Sequence, residues 1–252
     1  IKQQNKIKNL RQRLVTLGIE FRRNIDEYED YILVPLEELH GLPDNYINSL
    51  TKQSTEQGDR FQVSLDYPEM YPFMETASSE LWRKELFLKN HNKAAEANTT
   101  LLEEALEIRL RIARLLGFNS WAEYSIELKM AQTPERAEAF LTDLRSNVQV
   151  KADQDLQILL QEKQNHLKDS NAKLEIWDWR YYQQRVRREK FSVDQFKVAE
   201  YFPLDAVIAG MFEIYQKVTG VVFQEINVPR SWHRDVRLYG VTDSTTHEHL
   251  AH

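Results

Sequence analysis

TLLEEALEIRLRIARLLGFNSWAE, residues 100–123, decides the fold class. Leu101, Ala105, Ile108, Ile112 and Leu115 recur at alternating steps of four and three, which lines one face of an α-helix. Thr100 and Glu103 have capping-box spacing ahead of that stripe, so the helix is expected to begin there. Gly117 is expected to stop it, because glycine accepts the left-handed conformation at a helix end. Ser120 and Glu123 repeat the capping box for a short helix carrying Trp121, Tyr124 and Leu128.

The same grammar extends in both directions. Downstream, Thr133-Pro134 opens a helix with proline at its first position, and its stripe is Ala137, Phe140, Leu141, Leu144 and Val148. The stripe fades near Lys163, and residues 166–173 read as an exposed loop. Residues 176–188 read as an aromatic-rich helix, and Ser192 with Gln195 as another capping box. Pro203 starts a helix expected to bury Val207, Met211, Ile214 and Val218 and to stop at Gly220. Upstream, Ser79 is expected to cap a helix reaching about Lys93, and Ile7, Leu10, Leu14, Leu17 and Phe21 make an amphipathic helix.

Helical spacing fails in two places. Between Tyr31 and Met74, turn signals at Gly41-Leu42-Pro43 and Gln57-Gly58-Asp59 precede Phe61, Val63 and Leu65. That alternation predicts one short strand region near 61–66. Tyr67-Pro68 and Tyr71-Pro72 are expected to be extended, since proline disfavours helix in the residue before it. Near the end, Val236, Leu238 and Tyr239-Gly240-Val241 predict a strand, Asp243-Ser244 a turn, and Leu250 the start of a returning strand. The expected class is mostly α, with that short strand region and a C-terminal β-hairpin cut inside its second strand. A hairpin cut there leaves an unpaired edge, and the chain opens on Ile1, so a longer parent chain is expected. No motif recurs at a fixed period.

Composition narrows the function classes. The chain has 252 residues and a net charge of −6, which disfavours general nucleic-acid binding. It has no cysteine, which excludes a disulfide scaffold, thiol catalysis and cysteine-ligated zinc. No apolar run approaches the roughly 20 residues of a membrane helix. Lys2, Lys6, Lys8, Arg11 and Arg13 read as the solvated face of the first helix, not as a nucleic-acid stripe.

Four groups of side chains invite a chemical reading. HEHLAH, residues 247–252, looks like the zinc signature H-E-x-x-H but departs from it. Two helical zinc ligands must be four residues apart; here Ala251 holds that place, and His252 falls about 140° round a helix from His247. His247, Glu248, His249 and His252 therefore read as a polar hairpin tip. Trp177, Trp179, Tyr181 and Tyr182 could stack on a ligand, but their spacing favours packing. Arg185, Arg187 and Arg188 could hold an anion and read instead as a solvated face. Glu103, Glu104 and Glu107 sit at a helix start and an exposed face, a poor setting for general-acid work. No P-loop, G-x-G-x-x-G or G-x-S-x-G occurs.

The order of segments resembles a known family. Val34-Pro-Leu-Glu-Glu-Leu-His-Gly-Leu-Pro-Asp44, Leu65-Asp-Tyr-Pro68 and Tyr71-Pro-Phe-Met74 are similar to the thimet oligopeptidase, oligopeptidase A and neurolysin family of zinc peptidases. So are residues 109–118 with Trp121-Ala-Glu-Tyr124 and Lys129-Met-Ala131. Trp177-Asp-Trp179, Tyr181-Tyr182, Lys190-Phe-Ser-Val-Asp194, Glu200-Tyr-Phe-Pro203 and Trp232-His-Arg-Asp-Val236 extend the resemblance to most of the chain. It implies a helical two-lobed peptidase whose channel admits short unstructured peptides. The catalytic zinc is then held by a motif beyond this segment. Residues 1–225 are expected to form helical channel wall, and residues 226–252 to begin the active-site strands. No residue here is assigned a catalytic, cofactor-binding or metal-binding role; zinc belongs to the full-length parent. The implied partners are short peptide substrates and the remainder of the parent polypeptide, with no nucleic acid and no membrane, in the cytoplasm. The alternative is a self-contained helical protein-interaction module without enzymatic activity.

Overall fold

Helix dominates, as the spacing of residues 100–123 requires. The computed structural model describes residues 2–55, 58–191, 195–227 and 230–251. They fall into two compact units, Ile1–Lys190 and Phe191–His252.

The first unit opens with α1 (Lys2–Asp26), followed by β1 (Tyr31–Pro35), α2 (Asp44–Ser49), β2 (Thr51–Thr55) and β3 (Gly58–Ser64). Then come α3 (Tyr67–Thr76), α4 (Glu80–His91), α5 (Ala95–Leu115), α6 (Trp121–Ile126), α7 (Pro134–Leu167) and α8 (Trp179–Phe191). The second unit holds α9 (Gln195–Ala199), α10 (Leu204–Thr219), β4 (Val221–Ile226), β5 (Leu238–Asp243) and β6 (His249–Ala251).

Each unit has one antiparallel three-stranded sheet, of order β1-β3-β2 and β4-β5-β6. In the first, Ile32 pairs with Val63 and Val34 with Phe61, so buried side chains of two strands share a face. Met70, Phe73, Met74 and Leu86 from α3 and α4 pack against them. A second core forms where α1 crosses α5, with Leu17, Ile108 and Ile112 buried.

The structure corrects several local expectations. Residues 31–64 form a three-stranded sheet instead of one strand. β1 is a short apolar run, which periodicity cannot separate from buried helix, and β2 is the polar edge strand TKQST. Tyr67-Pro68 and Tyr71-Pro72 are helical, not extended. Pro68 occupies the first turn, where a missing N–H costs nothing, and Met70, Phe73 and Met74 bury the face that outweighs the bond lost at Pro72. α5 begins at Ala95, so Thr100 and Glu103 lie within it. The extra turn is fixed by buried Asn98, which accepts a hydrogen bond from Asn24 at 2.9 Å and donates one to the Phe21 carbonyl at 3.1 Å.

Other boundaries agree with the sequence. Gly117 has φ +91°, and the Phe118 N–H reaches the Ala113 carbonyl at 3.0 Å while the Gly117 N–H reaches that of Arg114. Those two bonds make the six-residue cap expected of a glycine stop. The Glu123 N–H donates to Ser120 Oγ at 3.1 Å, and the Arg136 N–H to Thr133 Oγ1 at 3.3 Å. Gly220 ends α10 at φ +70°. Ser192 lies outside the described residues.

The apolar stripe expected to be buried on α10 is exposed. On α10, Val207, Met211, Ile214 and Val218 face solvent, with Val218 77 % exposed. The helix turns its neighbouring stripe to the sheet: the Phe212 ring packs 4.9 Å from Phe223 and 4.6 Å from Tyr239. Phe140, Leu141, Leu144 and Val148 on α7 are exposed as well. At 34 residues, α7 is about 50 Å long, and its one buried residue, Lys163, lies near its C-terminal end.

Candidate functional site

α7 runs to Leu167, within two residues of the expected loop at 166–173. It thereby carries Lys163 into the densest group of buried charge among the described residues. Asp178, immediately before α8, is fully buried and sits at its centre. Its Oδ1 accepts from Arg83 Nη2 on α4 at 2.8 Å. Its Oδ2 accepts from Lys163 Nζ at 2.6 Å and from the Glu175 backbone N–H at 3.0 Å. Lys163 also donates to Glu80 Oε2 at 2.9 Å, and Glu80 Oε1 accepts from the Trp177 indole at 3.3 Å. Arg83 Nη1 donates to the carbonyls of Ala77 and Ser78, at 2.7 and 3.0 Å.

Of the aromatic residues singled out in the sequence, Trp177, Tyr181 and Tyr182 border this network, whereas Trp179 is exposed and lies against Arg180. The Tyr181 ring lies 4.2 Å from the Arg83 guanidinium, and the edge of Tyr182 meets the Tyr181 ring. Tyr181 and Tyr182 are buried, and Trp177 packs against the larger core. Burial pushes the Tyr182 hydroxyl well above the ordinary phenol range. For Lys163 burial works against the charge, but the hydrogen bonds to Asp178 and Glu80 outweigh it and hold the ammonium above the ordinary lysine value. Burial lowers His166, whose Nδ1 lies 3.2 Å from the Tyr182 hydroxyl, and nearby Arg185 adds to the effect.

This arrangement is a clamp, not a reaction centre. Asp178 has a donor on each oxygen, including two cations, so both oxygens are engaged within the network. Arg83 Nε is buried without a hydrogen-bond partner, but the bonds of Asp178 to Arg83 and Lys163 join α4, α7 and the start of α8 in one geometry.

The other candidate groups are dispersed. Arg185 binds Glu162 at 3.0 Å and Glu189 at 2.9 Å, while Arg187 and Arg188 are exposed. Glu104 takes a two-pronged bond from Arg13, both contacts at 2.7 Å, and that bond holds its carboxyl below the ordinary range. It thus ties α5 to α1 and is no partner for Glu103 or Glu107. His247 has φ +60° in the β5–β6 turn, and His249 starts β6. His252 lies outside the described residues, among which no three His, Asp or Glu side chains converge on a metal position.

Sequence reading missed Glu80, Arg83, Lys163 and Asp178. One signal was available: Arg83 falls on the apolar face of α4 with Leu86 and Phe87, where a solvated cation has no reason to be.

The profile of Peptidase family M3 matches residues 73–252. Saccharolysin of Saccharomyces cerevisiae is 34% identical over 249 residues, covering 94% of this chain and 34% of its own length. Thimet-like oligopeptidase of Dictyostelium discoideum is 29% identical over 246 residues, 95% of this chain and 36% of its own. Oligopeptidase A of Haemophilus influenzae is 26% identical over 215 residues, 82% of this chain and 31% of its own. The chain thus spans about a third of the length of the curated relatives it matches.

Proposed function

The chain belongs to peptidase family M3, and on that premise we propose that it is a non-catalytic portion of a zinc-dependent oligopeptidase acting on short unstructured peptides. The observation that carries the proposal is the family match across residues 73–252, joined to a matched share of only about a third of each relative. By role, residues 1–225 supply helical channel wall and residues 226–252 begin the active-site strands. The parent works in the cytoplasm. Among the described residues, no helix is long and apolar enough to cross a membrane.

The described residues do not fit zinc. His247 and His249 stand on an exposed turn and edge with no third ligand beside them, so no catalytic step is assigned to this segment. Its contribution is architectural. The Asp178 clamp holds three helices in one arrangement, and the exposed stripes of α7 and α10 are surfaces for the remainder of the parent polypeptide.

The test is direct. Purified chain with zinc and a quenched fluorescent peptide of about ten residues is expected to give no chelator-sensitive turnover, whereas a longer parent carrying H-E-x-x-H downstream gives it. Chelator-sensitive cleavage by the chain itself would refute the assignment. A second reading, a self-contained interaction module, draws on the exposed α10 face of Val207, Met211 and Ile214. The intact mass of the source protein separates the two.

A further inference from the structure

A small cavity opens between α3, α4 and the start of α8. Met70, Met74 and Phe87 supply its apolar lining. Its polar groups include Arg180 and the side-chain amide of Asn90, which makes no hydrogen bond among the described residues. Its volume is about 160 Å³. That is too small for most whole ligands, whose sites run to about 300–1,000 Å³. It is comparable to the roughly 150 Å³ apolar cavity known to take up a benzene ring. One large side chain fills it.

Arg180 is unusual in how it is held. Its guanidinium lies 4.2 Å from the Tyr71 ring centre and 4.4 Å from that of Trp179. Two aromatic contacts restrict the plane and leave its edge of N–H donors available. Its one ion pair among the described residues, with Glu75, is long at 3.9 Å from Nη1 and makes no hydrogen bond. A guanidinium edge presented this way matches a carboxylate by two parallel hydrogen bonds, and prior fixation reduces the entropy lost on binding.

We propose that this cavity is a binding site for the last residue of a peptide, taking a large apolar side chain between Met70, Met74 and Phe87 and its terminal carboxylate on Arg180. The identity of the ligand as a peptide end rests on the peptidase reading above; the pairing of apolar pocket and guanidinium does not. Binding occurs at a surface of the wall segment, so it anchors a peptide without taking part in cleavage.

The experiment titrates the intact 252-residue chain with N-acetyl-L-phenylalanine and follows the Trp179 indole N–H by NMR, assigned with Trp179→Phe. A saturable shift is expected, with N-acetyl-L-phenylalaninamide binding at least tenfold more weakly. Arg180→Gln is expected to abolish the preference for the acid, and Arg180→Lys to retain part of it. Equal binding of acid and amide, or no saturable shift with either, overturns the site. Because acid and amide are compared on the unaltered chain, a poorly folded Arg180→Gln leaves the decision intact. Free L-phenylalanine binding more tightly than its N-acetyl form would overturn the peptide-end assignment. No turnover is measured, so an inactive parent would sink the peptidase reading while leaving the binding result standing.

Discussion

Asp178 is fully enclosed and neutralises two cations. Removing one member of such a group strands the others, at about 3–5 kcal/mol. Asp178→Asn is therefore expected to lower stability by that amount, read as a reduced urea midpoint at constant slope. Adding Arg83→Met and Lys163→Met to it is expected to recover part of the loss, because no charge is then left buried. His166 makes a separate, pH-dependent contribution. Its folded value lies below the ordinary imidazole value, so the unfolded chain takes up a proton first as pH falls. Stability is full above about pH 6.5 and declines as pH drops toward the lowered folded value. The thermal midpoint is expected to fall between about pH 7.5 and 5.5, where model-peptide carboxyls stay ionised, and His166→Gln to flatten that slope. The aromatic residues of this site were legible in the sequence as packing residues. The charges were not, because Lys163 and Asp178 look solvated until the end of α7 is seen to meet the start of α8.

Elements were read best where a cap set them. Gly117, Ser120, Thr133 and Gly220 each act locally, and each boundary appears in the structure. Elements fixed by distant partners were hidden. β2 has a polar sequence and exists through its pairing with β3, and the first turn of α5 depends on Asn98 meeting α1. Gly41 shows the same dependence in a loop. It has φ +92°, and a Cβ there would lie 2.5 Å from the Thr76 carbonyl oxygen, beside the Ser78 N–H bond to the His40 carbonyl. Gly41→Ala is expected to cost at least about 1–3 kcal/mol, from strained backbone plus the displaced end of α3. Differential scanning calorimetry would register this as roughly 2–4 °C per kcal/mol for a chain of this size.

At the scale of the molecule, fold class and family were legible because helical periodicity and segment order survive without coordinates. The fate of the apolar stripes was not, since periodicity shows that a face is apolar and not what covers it. Ile214, 64 % exposed on α10, makes this testable. Ile214→Lys is expected to leave the thermal midpoint within about 0.5 kcal/mol equivalent, as surface substitutions do. It should reduce light scattering of concentrated chain, whereas a large loss of stability would mean that the stripe is covered after all. The Asp178 clamp also bears on time. It joins residues separated by as many as 97 positions, and contacts of that span are gained only after long loops have closed. Their loss therefore falls mainly on the unfolding rate. Asp178→Asn should refold nearly as fast as the unaltered chain and unfold on the order of 10²–10³ times faster. What the buried carboxylate sets, on this reasoning, is the lifetime of the native state once it has formed.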